Sequence, residues 1–196
     1  MRRVVLASGS PRRRELLSRF IPDLVIDPAD IDEDGHGSAG EPVEAVIAAA
    51  SAKALEVAPR HPGVIVIGCD TAVVLERRML GKPRDEAEAA LMILDLAGRD
   101  HEVITGIALS ESADGRSAEV IAADAVRTRV HFRPLDWEAA RAYVARGESL
   151  DKAGAYGIQG HGALLVDRIE GCYFNVVGLP LHRLSLMLAA AGVPLL

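Results

Sequence analysis

Ser8-Gly9-Ser10-Pro11-Arg12-Arg13 combines small residues, a helix opening and two guanidinium groups, the ingredients of an anion site. A short apolar run, Val4 to Ala7, precedes it, and a helical pattern from Arg14 to Phe20 follows. A strand that turns through Gly and Ser into a helix leaves backbone N–H groups at the positive end of the helix dipole. Ser10 is suited to cap that helix and Pro11 to occupy its first position. Two arginines in the first turn run against the usual preference for acids there, a conflict that a bound phosphate would resolve. Arg13, Leu16, Leu17 and Phe20 share one face at helical spacing, which directs Arg13 toward a partner. A capped surface helix with solvated arginines is the plainer alternative. No glycine-rich loop ends in Lys-Ser or Lys-Thr, so the P-loop of kinases and ATPases is absent.

Asp70-Thr71 follows the apolar run Val64–Cys69 directly. A carboxylate at the end of a buried strand is costly to desolvate unless a cation or donors meet it, and ligands collect at strand ends in α/β sheets. Lys53 falls at helical spacing from Val46 and Ala50, on the border of an apolar stripe, where it either serves a site or snorkels to solvent. Lys82 lies in Leu80-Gly81-Lys82-Pro83, a rigid turn that could aim one ammonium, although a solvated turn lysine is the simpler reading. The acids Asp27, Asp30, Asp32, Glu33 and Asp34 read as a solvated loop, with one or two available to share Mg²⁺ with Asp70. In Asp151-Lys152-Ala153-Gly154-Ala155-Tyr156-Gly157-Ile158-Gln159-Gly160, the glycines permit close approach of backbone to a ligand, and Gln159 offers a donor and an acceptor suited to a nucleobase edge. A tight structural loop explains the same stretch equally well. His-x-x-x-His pairs and the G-x-S-x-G elbow are both missing, which disfavours a zinc hydrolase and a serine esterase.

These residues need elements to hold them. Strands are expected at Val4–Ala7, Leu24–Asp27 and Val64–Cys69, the last continuing through Thr71–Glu76 to a turn at Arg77-Arg78. Helices are expected at Glu41–Ala58, at Arg84–Ala97 with Ala87, Ala90, Leu91 and Leu94 on its buried face, and from Asp136 to Arg146. His101–Ser110 and Ser117–Phe132 read as a hairpin, Ala163–Ile169 and Cys172–Val177 as another, and Pro180–Ala191 as the last helix. Crossovers mixed with hairpins predict an α/β fold, a mixed central sheet flanked by helices. Two lobes with a cleft are compatible with the pattern, but no linker, repeat or low-complexity tract divides the 196 residues, which read as a single domain. With 49% hydrophobic residues there is material for a sizeable core. A net charge of −6 disfavours nucleic acid and anionic membranes as partners, and 4% aromatic content offers no base-stacking platform. Cys69 and Cys172 read as two buried thiols rather than a disulfide. The absence of a secretory signal and of an apolar span points to the cytoplasm.

Taken together, the chain resembles the Maf family of nucleoside triphosphate pyrophosphatases. The resemblance rests on Leu6-Ala7-Ser8-Gly9-Ser10-Pro11-Arg12-Arg13 with Glu15-Leu16-Leu17, on Asp30-Ile31-Asp32-Glu33, Gly68-Cys69-Asp70-Thr71 and Gly81-Lys82-Pro83. The segment Asp151–Gln159 and the block Val177-Gly178-Leu179-Pro180-Leu181 complete it. It implies a Maf/ITPase-like fold, with Asp70 as catalytic acid/base and Arg12, Thr71 and Gln159 as substrate-contacting or specificity positions. Ser8, Arg13, Lys53 and Lys82 match positions used around phosphates, and Glu33 with Asp70 match positions for a divalent metal, Mg²⁺ or Mn²⁺. The Asp151–Gln159 segment looks like that of the branch acting on dTTP and UTP; a sister branch acting on 7-methyl-GTP has glutamate where Gln159 stands. Cys69 occupies a place usually held by alanine or another small residue. A homodimer is implied by the resemblance alone. The competing class is a nucleotide-binding regulator of cell division that does not depend on catalysis.

Overall fold

A computed structural model describes residues 3–31 and 41–196, so the expected metal position Glu33 lies outside the described residues. In chain order the elements are β1 (Val4–Leu6), α1 (Pro11–Ser18), β2 (Val25–Ile26), α2 (Pro42–Val57), β3 (Ile65–Leu75), β4 (Arg78–Leu80) and α3 (Glu86–Leu96). They continue with β5 (Asp100–Glu111), β6 (Glu119–Phe132), α4 (Trp137–Val144), β7 (Val166–Glu170), α5 (Tyr173–Val177) and α6 (Leu181–Ala190). Among the described residues one sheet runs in the order β2-β1-β3-β5-β6-β7, with β4 paired to β3. It is mixed, as expected: β1 is parallel to β2 and β3, while β3–β4 and β6–β7 are antiparallel. No helix of the described residues is long and apolar enough to cross a membrane.

Contacts divide the chain into two units. The first takes the residues up to Asp70, Thr105–Val126 and Gly178–Leu196; the second takes Thr71–Ile104 and Arg127–Val177. The first unit's core is built from small residues: Val5, Val66 and Ala108 on strands and Ala7 just past β1, against Ala50, Ala54 and Val57 of α2. Small side chains let helix and sheet approach closely, and two glycines take the contact further. A Cβ on Gly68 of β3 would lie 2.0 Å from the Ala50 carbonyl oxygen, and one on Gly106 of β5 would lie 2.3 Å from that of Val46. Only glycine permits α2 to ride on the strands at this depth.

The second unit's core is larger-grained, with Leu75, Leu80, Ile93, Leu96, Val130 and Phe132 packed around Tyr143 and Tyr156. Capping follows the sequence closely, since Asp85 and Asp136 accept backbone N–H groups of Glu88 and Ala139 at 2.8 Å. Several local expectations need correction. The buried stripe of α3 is Ala89, Ala90, Ile93 and Leu96, whereas Leu91 is 59% exposed; in so apolar a helix, periodicity does not single out one face. Phe20 falls beyond the end of α1 and is exposed. The turn after β3 is at Glu76-Arg77, both at positive φ, rather than at Arg77-Arg78.

Cys172–Val177, expected as a strand, holds helix α5 instead. Gly171 turns the chain at φ 135°, and Thr128 Oγ1 accepts the Cys172 N–H at 3.0 Å. The buried Asn175 amide then donates to the Val103 carbonyl at 2.9 Å and to Thr128 Oγ1 at 3.0 Å. One buried amide that reaches two strands decides against extension, a preference an apolar run of five residues does not reveal. Both cysteines are free thiols, as expected, but only Cys69 is buried; Cys172 is half-buried.

His101 is buried against Tyr156 and Phe132, with its Nε2 2.7 Å from the Tyr156 hydroxyl. Burial pushes its pKa down from 6.5 to about 4, opposed by nearby Asp100 and reinforced by His131. The unfolded chain therefore takes up this proton before the folded one. The contribution is fully present above about pH 6.5 and is lost as pH falls toward 4, by up to about 3 kcal/mol. Urea midpoints across that window should fall more steeply for the wild type than for His101→Gln, which keeps a partner for Tyr156 but does not titrate. Equal slopes would show that His101 is not the group responsible.

Candidate active site

The parallel register of β1 and β3 brings the first two sequence blocks together. Leu6 pairs with Ile67, and Ala7 N–H donates to the Ile67 carbonyl at 2.8 Å, so the chain leaves β1 at Ser8 alongside Cys69. Ser10 caps α1 through a bond from Arg13 N–H at 3.5 Å, Pro11 opens the helix, and no acid occupies its first turn. These are the expected features of an anion-ready helix end.

Arg13 is the tie between the two strands. Its Nε donates to the Gly178 carbonyl at 2.8 Å, and its NH1 donates to Ser8 Oγ at 3.1 Å and to the Cys69 carbonyl at 3.0 Å. These three acceptors fix the guanidinium plane. Ser8 is buried, and its Oγ also accepts the Ser10 N–H at 3.3 Å. The solvated-arginine alternative does not survive at Arg13. Arg12 is half-buried in the same helical turn. A groove of about 730 Å³ opens from Ser8 to Ser10 along α1, past Arg14 and Ser18.

Lys53 reaches the site because of the glycine contact beneath α2. Gly68 and Asp70 lie two apart on β3 and so share a strand face. A Cβ on Gly68 would also meet Ala54 N at 2.9 Å, which puts that part of α2 directly over the strand. Lys53, one residue earlier in α2, places its Nζ 2.7 Å from Asp70 Oδ1. The lysine side chain is 8% exposed and the aspartate side chain 27%. The snorkelling alternative fails: the ammonium is buried and paired. Asp70 lies within β3 rather than at its end, since the strand runs unbroken from Ile65 to Leu75.

Between these charges sits Cys69, whose thiol burial pushes up to about 11, against the downward pull of Arg13 and Lys53. A thiol so resistant to ionisation is no nucleophile at neutral pH. Asp70 remains the candidate base in this stretch of β3.

The remaining candidates belong to the second unit. Thr71 is half-buried on β3, Lys82 is exposed in the turn after β4, and Gln159 is half-buried at the start of a short 3₁₀ turn, Gly160–Leu164. Lys82 and the segment bearing Gln159 are tied locally, because Gly154 N–H donates to the Gly81 carbonyl at 3.0 Å. Gly154, at φ 66°, packs where a Cβ would meet Val73 of β3 at 2.9 Å. In the first unit Arg13 is bonded to Ser8 and to the Cys69 carbonyl, next in the chain to Asp70, which pairs with Lys53; in the second, the Gly81–Gly154 bond ties the turn of Lys82 to the Gln159 segment. Sequence reasoning missed the carbonyls of Cys69 and Gly178 as holders of Arg13. Gly178 had a signal, since its φ of 109° requires glycine.

For a divalent cation, Asp70 offers the hard oxygen that Mg²⁺ or Mn²⁺ prefers. No group of three or more His, Cys, Asp or Glu residues among the described residues could hold a metal by itself. The donor set therefore fits an ion that shares its coordination with phosphate oxygens.

Comparisons with known proteins identify the family of the chain. The profile of the Maf-like protein family matches residues 3–191. A dTTP/UTP pyrophosphatase of Moorella thermoacetica is 51% identical over 98% of this chain and 97% of its own length. A dTTP/UTP pyrophosphatase of Myxococcus xanthus is 50% identical, covering 98% of this chain and 94% of that protein. Among solved structures, a HAM1 protein from Coxiella burnetii shares the fold, with a TM-score of 0.51 at 17% identity over 97% of this chain and 100% of that one. Matched along almost all of its length by both family profile and relatives, the chain belongs to the Maf-like protein family.

Proposed function

We propose that this chain hydrolyses dTTP and UTP between the α- and β-phosphates, releasing the nucleoside monophosphate and pyrophosphate. The observation that carries the reading is the Lys53–Asp70 pair at 2.7 Å, set on β3 one residue beyond the carbonyl that holds Arg13. A carboxylate, an ammonium and a fixed guanidinium at a helix N-terminus are the groups needed to activate water beside a triphosphate. Relatives of 51% and 50% identity named dTTP/UTP pyrophosphatase support the substrate.

In the proposed mechanism Lys53 orients the Asp70 carboxylate, which takes a proton from a water in line with the α-phosphorus. The water oxygen forms the new P–O bond as the bond to the bridging oxygen breaks and the electron pair leaves with pyrophosphate. Arg12, Arg13 and the Ser8–Ser10 backbone meet the negative charge of the triphosphate chain, which grows on the leaving group in the transition state, and the family resemblance gives Lys82 a role around the same phosphates. Asp70 with Glu33 would hold Mg²⁺ or Mn²⁺, whose contribution is to neutralise phosphate oxygens. Gln159 and Thr71 read the base: the Gln159 amide can donate to O4 and accept from N3–H of uracil or thymine. A carboxylate in its place would repel O4. We further propose that the enzyme works in the cytoplasm and as a homodimer, on the support of the family resemblance.

Asp70→Asn should lower kcat by roughly 10³-fold while nucleotide affinity changes little; wild-type turnover in that variant would remove Asp70 from the chemistry. Arg13→Lys cannot bond three acceptors in one plane, and its kcat/KM should drop at least about tenfold. Pyrophosphate release from UTP, dTTP, CTP and 7-methyl-GTP compares the substrates directly. UTP and dTTP should lead, and a preference for the methylated purine would overturn the base assignment. No release from any of them with Mg²⁺ or Mn²⁺ present would favour a binding protein instead.

A further inference from the structure

We infer that Glu148 is a positioning residue for Gln159, and so a determinant of base selectivity that acts from beneath the loop. The inference rests on the reading of Gln159 as the base-contacting side chain. Gln159 has no cap bond to the 3₁₀ turn it opens, so its amide is not used to stabilise its own backbone. What fixes that backbone is on either side of it.

On the C-terminal side, the Glu148 carboxylate accepts the His161 N–H at 3.2 Å and meets His161 Nδ1 at 2.7 Å. The bond from His161 is the main reason its pKa lies below the usual carboxylate range. Gly160, at φ 62°, lies directly over the same carboxylate, and a Cβ there would come within 2.9 Å of Glu148 Oε1. On the N-terminal side, the Lys152 side chain runs under Gly157, where a Cβ would meet its Cε at 3.0 Å. Lys152 Nζ in turn donates to the Glu148 carbonyl at 2.5 Å and to Asp151 at 2.6 Å. The Gly157 N–H donates to the Tyr143 hydroxyl at 3.3 Å.

Gly162 closes the loop, since a Cβ there would lie 1.8 Å from the Gly157 carbonyl oxygen. Gly162 is thus required by its close approach to backbone and Gly160 by its positive φ, while the Glu148 and Lys152 side chains pack directly against Gly160 and Gly157. Glu148 grips the residues immediately after Gln159, and its carbonyl anchors the lysine that supports the residues before it. The Glu148 carboxylate therefore holds backbone on one side of Gln159 and the Lys152 side chain lines the other. Because these contacts set backbone position, loss of the Glu148 carboxylate should misplace the Gln159 amide rather than abolish the water-activating chemistry.

The test compares kcat and KM for UTP and CTP in the wild type, Glu148→Ala, Glu148→Gln and Gln159→Ala, with melting temperatures alongside. Glu148→Ala should lose roughly tenfold or more of the UTP-over-CTP preference, chiefly through KM for UTP, at a melting temperature near the wild type's. Glu148→Gln, whose amide oxygen still accepts the His161 N–H, should recover much of it. A retained preference in Glu148→Ala, or an equal loss for both nucleotides, overturns the inference if Gln159→Ala abolishes the preference. A retained preference in Gln159→Ala sinks the underlying reading of Gln159 and the inference with it. Should Glu148→Ala fail to fold, His161→Ala removes one half of the grip from an exposed side chain; wild-type preference in that variant overturns the inference.

Discussion

The ion pair between Lys53 and Asp70 is the constraint from which the first unit takes its form. A buried ammonium loses its hydration, and its attraction to one carboxylate repays that loss only with good geometry. The geometry here comes from Gly68, whose missing side chain lets α2 sink onto β3 until Lys53 and Asp70 meet. Alanines at 49, 50 and 54 and a second glycine at 106 keep the rest of the interface equally thin. Removing one partner of such a pair typically costs about 3–5 kcal/mol, while well-packed apolar replacements are often neutral. The pair is thus a poor way to gain stability and a good way to aim a carboxylate.

Arg13 shows a different use of the same economy. Three neutral acceptors from Ser8, Cys69 and Gly178 hold its guanidinium. These contacts orient the guanidinium at the N-terminus of α1. The chain brings these acceptors together with very little apparatus: a three-residue parallel pairing of β1 with β3, and one glycine at positive φ.

Much of this was legible in the sequence because it depends on local chemistry. Strand, turn, cap and helix from Val4 to Ser18 follow from residue types alone, as do the aspartate that caps α4 and the glycine that ends it. Arg13 on the apolar side of α1 and Lys53 beside an apolar stripe both announced a partner, though not which one. What the sequence withheld was set by distant contacts. The face of α3 is chosen by the sheet it covers, and α5 exists because Asn175 reaches Val103 and Thr128. The backbone carbonyls that hold Arg13 carry no signature in residue type, since every residue has one. The Glu148 grip depends on a histidine thirteen residues away, and the glycines between them read as room for a ligand or as a tight loop, not as seats for Glu148 and Lys152.

Cys69 leaves a last consequence. Its side chain is fully buried, and burial pushes the thiol pKa up to about 11, so peroxides and alkylating reagents do not reach a reactive sulfur in the closed sheet. The sulfur becomes reactive only when the surrounding strands part. The rate at which a thiol reagent labels it therefore measures the breathing of this part of the sheet, from a probe the chain already carries.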